Sequence, residues 1–197
     1  KTTEKNEPYV EETHEAIVTT ESDIDIEQKQ MVAKARKLLH EKNYAELDKY
    51  IDSLVTSREA CPNGRWKLDL LYMEFTDPER AGKKATEAEW LKLIDEFKAW
   101  SAASKSSSNA LIALAEAYTG YAWLARGNGY ANTVSDEGWR LMGERIDTAK
   151  NYLKQADVLN SKNPRKWSAA LIAGLGSNID KRAYEEIVSE AQRKEPT

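Results

Sequence analysis

Between Trp139 and Ala156 the apolar residues Trp139, Met142, Ile146, Ala149, Leu153 and Ala156 recur at alternating steps of three and four. That spacing lays six side chains along one stripe of a long helix, which then needs an apolar neighbour to cover it. A glycine-containing loop precedes the stripe and Asn163-Pro164 follows it, so both ends of the helix are marked. The pattern predicts stacked antiparallel helices and carries no chemistry of its own.

The same logic predicts helices along the rest of the chain. The first spans about 25–41 with Met31, Ala35, Leu38 and Leu39 inward. The second opens at Asn43 with a capping-box-like Glu46 and buries Leu47, Ile51 and Leu54 before Cys61-Pro62-Asn63-Gly64 stops it. The third carries Trp66, Leu70, Leu71, Met73 and Phe75. Thr86 and Glu89 form a second capping box ahead of Trp90, Leu93, Ile94, Phe97 and Trp100. Ser107 or Ser108 caps a fifth, alanine-rich helix from Asn109 to Arg126, apolar nearly all round as a central buried helix would be. The sixth bears the stripe, the seventh follows an Asn163 cap with Pro164 in its first turn, and the eighth spans about 181–193. The β-branched residues are scattered and hairpin signals are lacking, so no strand is expected.

At 197 residues the chain suits one domain with a real core, and its 41% hydrophobic and 31% charged composition is ordinary for a helical protein. A net charge of −4, with basic and acidic residues interleaved, shows no basic face and argues against nucleic acid as a partner. The longest apolar run, Ala110 to Ala115, is far too short for a membrane span. Cys61 is the only cysteine, which excludes an intrachain disulfide and any zinc site built on paired thiolates. Residues 1–22 are polar and expected to be mobile, leaving 23–197 as a single helical-repeat domain. The start at Lys1 fits a trimmed chain or a cleaved signal peptide, so the expected compartment is either cytoplasmic or periplasmic.

Consecutive helices joined by short turns pack as antiparallel hairpins, giving four expected pairs: one–two, three–four, five–six and seven–eight. Tetratricopeptide-like steps of four, three and five connect Tyr184, Val188, Ala191 and Pro196. Ala149, Leu153 and Ala156 repeat the first two steps, and Leu114, Ala117, Tyr118 and Tyr121 follow the spacing of a first helix. The expected fold is all-α, a tetratricopeptide-like right-handed α-solenoid of about four helical hairpins, with an irregular helical bundle as the alternative. The stretch AWLARGNGYANTVSDEGW resembles the bacterial "domain of unknown function 4034" family, through Trp123, Arg126, Gly127, Gly129, Tyr130, Ala131, Gly138 and Trp139. The resemblance covers mainly residues 110–165. It implies a tetratricopeptide-related helical fold and a bacterial origin, and it brings no catalytic residue.

Arg126-Gly127-Asn128-Gly129-Tyr130 is the one stretch with unusual local chemistry. Gly127 and Gly129 permit sharp bends, Thr133 or Ser135 can cap the next helix, and Arg126 can brace the loop against Asp136 or Glu137. In a binding role, Arg126, Asn128 and Tyr130 would line a notch. Tyr118 and Tyr121, one turn apart on the first helix of a pair, would face the concave surface of a solenoid. Trp66, Trp90, Trp123, Trp139 and Trp167 are expected to pack in the core. No nucleophile–base–acid set has workable spacing, so neither catalytic residues nor a metal or cofactor are expected. The expected function is a non-enzymatic protein–protein interaction module, an adaptor or a toxin-neutralising immunity protein. The alternative is a small-ligand-binding protein with a pocket closed by the Gly127–Tyr130 loop, and an enzyme ranks last.

Overall fold

The computed structural model describes residues 21–79, 83–177 and 179–195. Residues 1–20 of the expected mobile segment, His14 among them, and Pro196 lie outside the described residues. The described chain is all-helical: α1 (Glu21–His40), α2 (Tyr44–Ser57), α3 (Lys67–Phe75), α4 (Glu87–Ala103), α5 (Ser108–Arg126), α6 (Asp136–Val158), α7 (Arg165–Leu175) and α8 (Lys181–Lys194), with no strand.

The helix starts follow from local hydrogen-bond chemistry. Thr86 accepts from the Glu89 amide while the Glu89 carboxylate accepts from the Thr86 amide at 2.7 Å, a complete capping box for α4. Ser107 caps α5 through the Ala110 amide, and Ser135 caps α6 through the Gly138 amide. Thr133, the other candidate, donates to the Tyr130 carbonyl within the 3-10 turn Ala131–Thr133. The capping box expected at Asn43 does not form: its side chain makes no capping bond, and Glu46 sits 3.8 Å from Lys49 instead. Ahead of α7 the Asn163 side chain accepts from the Arg165 amide at 3.0 Å, and Pro164 between them has no amide left to satisfy.

α5 is the axis of the molecule. Ten of its residues from Ala110 to Ala122 are buried, so it requires cover on nearly every side. α6 lies along it with its stripe of Met142, Ile146, Ala149, Leu153 and Ala156 inward, and α4 and α7 pack on other sides. The pairs α1–α2, α5–α6 and α7–α8 are close, as expected. The third expected hairpin differs. α3 packs chiefly on α1 and α4 on α5, while α3 and α4 meet through Phe75 against Phe97 at 5.1 Å and Trp100 at 6.4 Å. Bulky rings at that seam hold the two backbones apart, where a small-residue seam would let them close.

Two buried polar nodes fix the register of distant segments. The Asn163 amide donates to Tyr72 Oη at 3.0 Å and to Asn109 Oδ1 at 2.9 Å, joining α3, α5 and the turn before α7. Asp48 accepts from Ser107, from Trp100 Nε1 at 3.3 Å and from Asn109 Nδ2 at 3.4 Å, tying α2 to the start of α5. Burial raises the Asp48 carboxyl above its ordinary value, although these donors pull the other way. Such nodes add little net energy when complete, but breaking one leaves buried polar groups without partners.

Candidate functional site

Between the end of α3 and α7 a trough opens above α5. Its floor is Glu116, Thr119, Gly120 and Trp123. Met73, Thr76 and Asp77 at the end of α3 form one wall, and Arg165, Ala169 and Ile172 of α7 form the other. Two adjoining cavities of about 220 and 310 Å³ make up the trough and share Asp77, Trp90, Gly120 and Trp123.

A glycine decides where Trp90 sits. The Trp90 indole lies directly over Gly120: a Cβ placed there would come within 2.8 Å of ring atom Cζ3 and closer still to Cη2. The indole also stacks on Tyr121, with ring centroids 6.4 Å apart. So wedged, Trp90 is only 3% exposed, and its indole N–H has no hydrogen-bond partner among the described residues. A buried donor in this state costs about 1–3 kcal/mol, and the Trp167 indole N–H, outside the trough, is in the same state.

One end of the trough is charged. Arg165 grips Glu116 with two bonds, Nε to Oε1 at 2.7 Å and Nη2 to Oε2 at 3.4 Å, and its Nη1 donates to Asp69 at 3.1 Å. Thr76 Oγ1 lies 3.1 Å from Glu116 Oε2. Burial pushes the Glu116 carboxyl up despite the guanidinium beside it, and the same pairing holds Arg165 in its charged form. Asp77, on the rim, is likewise raised by burial. Along the trough's edge Met73, Trp123 and Ile172 are exposed, a combination of apolar rim and few polar groups found in binding clefts.

The other end of the trough is the glycine loop. Gly127, at φ +70°, and Asn128 line it. Arg126 does not pair with Asp136 or Glu137. It donates to the carbonyls of Gly127 at 3.1 Å and Gly129 at 2.9 Å, with Trp123 at 5.5 Å and Trp139 at 5.7 Å from its guanidinium. Glu137 is taken by Arg140. Tyr130 is 85% exposed and lines neither cavity. Trp123 and Trp139 are therefore partly open to solvent, where core packing was expected.

Tyr118 and Tyr121 do not face the trough. Tyr121 is 6% exposed, donates its hydroxyl to Glu87 and carries the Arg145 guanidinium 3.3 Å above its ring. Burial, followed by the bond to Glu87, pushes its hydroxyl pKa up to about 12. Tyr118 stacks on Tyr152 of α6 at 5.7 Å. The floor of the trough is instead supplied by Glu116, Gly120 and Trp123, which lie at other angles around the same helix. Met73, Glu116, Arg165 and Ile172 escape sequence reasoning because they converge from three helices. The one local signal was Gly120, a glycine in the middle of an alanine-rich helix.

Among the described residues, no three His, Cys, Asp or Glu side chains gather so as to hold a metal ion, and no helix is long and apolar enough to cross a membrane. No curated protein and no solved structure matches the chain. Residues 31–177 match the family model described as Domain of unknown function (DUF4034), a span that contains α2 to α7, the whole trough and the glycine loop. The chain belongs to the DUF4034 family.

Proposed function

We propose that the chain is a non-enzymatic protein-binding module whose trough above α5 receives a segment of another protein. The reading rests on Met73, Trp123 and Ile172, three exposed apolar side chains that edge the trough. An apolar side chain of the bound segment covers Met73, Trp123 and Ile172. Helical-repeat proteins commonly bind in this way, along a concave face built from successive helices. An adaptor, or an inhibitor that covers a toxin, would use the trough identically.

Photo-crosslinking from position 73 or 172 tests the proposal. A single partner protein should be captured, the crosslink should map to a short segment, and a synthetic peptide of that segment should bind the full chain. Ile172→Asp should abolish that binding with the helical circular dichroism unchanged. Equal binding by Ile172→Asp refutes the trough as the site.

A second reading, a small-ligand pocket, has its own support in Gly127 and Asn128, which place the glycine loop at the mouth of the trough. It predicts thermal stabilisation by a low-molecular-weight compound and loss of that effect on Trp123→Ala.

A further inference from the structure

Across the α3–α4 loop from the trough lies a second cleft of about 610 Å³, between the end of α1 and the first half of α4. Arg36, Lys37, His40, Lys83, Lys84 and Lys92 line it, facing only two carboxylates, Glu89 and Glu96. Glu89 is committed to the α4 capping box, and Glu96 lies 3.5 Å from His40 Nδ1. Lys83, Lys84 and Lys92 have no ion pair among the described residues. The interleaved sequence charges are sorted by folding: (i, i+3) spacing puts Lys37 and His40 on one face of α1, opposite Lys92 on α4 and the Lys83-Lys84 pair. Arg36 donates to the carbonyls of Glu74 at 2.6 Å and Asp77 at 2.9 Å, and Lys37 lies 3.9 Å from Glu41. Lys83, Lys84 and Lys92 therefore carry the cleft's positive field, a local reversal in a chain of net charge −4 that attracts anions.

We infer that this cleft is a docking site for an acidic peptide segment of a partner protein. Three observations favour a peptide over nucleic acid. Pro78, Ala85 and Leu93 give the cleft an apolar base, which suits a side chain between carboxylates. The lining holds no Trp, Tyr or Phe on which a base could stack. Glu89 and Glu96 would oppose a continuous phosphate backbone, whereas spaced carboxylates avoid them. The trough shares only Lys84 with this cleft, and among its own carboxylates Asp77 and Glu79 oppose such a ligand while Glu116 is held by Arg165.

The test is fluorescence anisotropy on the full chain with a fluorescein-labelled peptide of about ten residues, glutamates flanking a central leucine. Saturable binding at low ionic strength is expected, falling as salt screens the exposed charges. The double variant Lys83→Glu with Lys84→Glu should weaken it roughly tenfold, and Lys92→Glu should add to the loss. These side chains are exposed, so melting temperatures should match the parent. Lys49→Glu and Lys154→Glu, away from the cleft, should leave binding intact, as should Ile172→Asp in the trough. Absence of saturable binding, equal affinity in the cleft variants, or equal loss in the Lys49 and Lys154 controls overturns the inference. So does a labelled DNA duplex that binds through the same lysines more tightly than the peptide.

Discussion

Replacing Arg165 with methionine should expose how much the trough depends on one buried charge pair. The Arg165 and Glu116 side chains are 11% and 9% exposed, and their closest contact is 2.7 Å. At an effective dielectric of about 20, unit charges roughly 4 Å apart attract by about 4 kcal/mol. Removing one partner of a buried pair typically costs about 3–5 kcal/mol, since the survivor is left charged and desolvated. Methionine keeps the length of the side chain, so the loss reports the charge rather than a hole. For a chain of this size it corresponds to a drop in Tm of roughly 6–20 °C.

The pH dependence gives the sharper check. Glu116 already has a raised carboxyl pKa in the folded state, and loss of the guanidinium raises it further. A folded-state pKa above the unfolded value, about 4.3 for glutamate, gives stability that is fully present below the unfolded value. That stability is lost as the pH rises through the folded one. The Arg165→Met deficit should therefore be small near pH 4 and grow towards pH 7.5, as measured by urea denaturation at each pH. Adding Glu116→Gln to Arg165→Met should recover most of the neutral-pH loss and flatten the difference. A deficit below about 1 kcal/mol, or one equal at both pH values, would refute the reasoning.

Gly120→Ala should destabilise by about 1–3 kcal/mol, because the new methyl drives into the Trp90 ring. Gly143→Ala, at an exposed site on α6 with nothing within 4 Å, should instead stabilise by roughly 0.5–1 kcal/mol, and thermal melts of the two variants should move in opposite directions. Arg126→Ala should cost about 1–2 kcal/mol by releasing the carbonyls of Gly127 and Gly129, read as faster amide exchange across residues 127–135. Lost stability with partner binding intact would confine Arg126 to bracing the loop. Cys61 is buried and burial raises its thiol pKa, so an aromatic disulfide reagent at pH 8 should react with the native chain far more slowly than with the urea-unfolded chain. Comparable rates would show that the segment between α2 and α3 opens readily.

The sequence alone determined the helices, because their signals are local. The three–four spacing of Met142 to Ala156, the Thr86–Glu89 box and the Ser107 cap each act within a turn or two of chain. The family was likewise legible in a contiguous run, from Trp123 through the glycine loop to Trp139. Which faces point together was decided by tertiary packing. Tyr121 and Gly120 are neighbours in sequence, yet one is locked beneath Arg145 and the other lies on the floor of the trough against Trp90, because α4 and α6 meet different sides of α5. Glu116 and Arg165 are 49 residues apart, and nothing in either segment signals the other. The lysines of the second cleft look interleaved with acids along the chain, and only the approach of α1 to α4 concentrates their field. Hydrogen bonds and helical periodicity act over a few residues, whereas a binding surface sums contributions from segments that meet only once the core has closed.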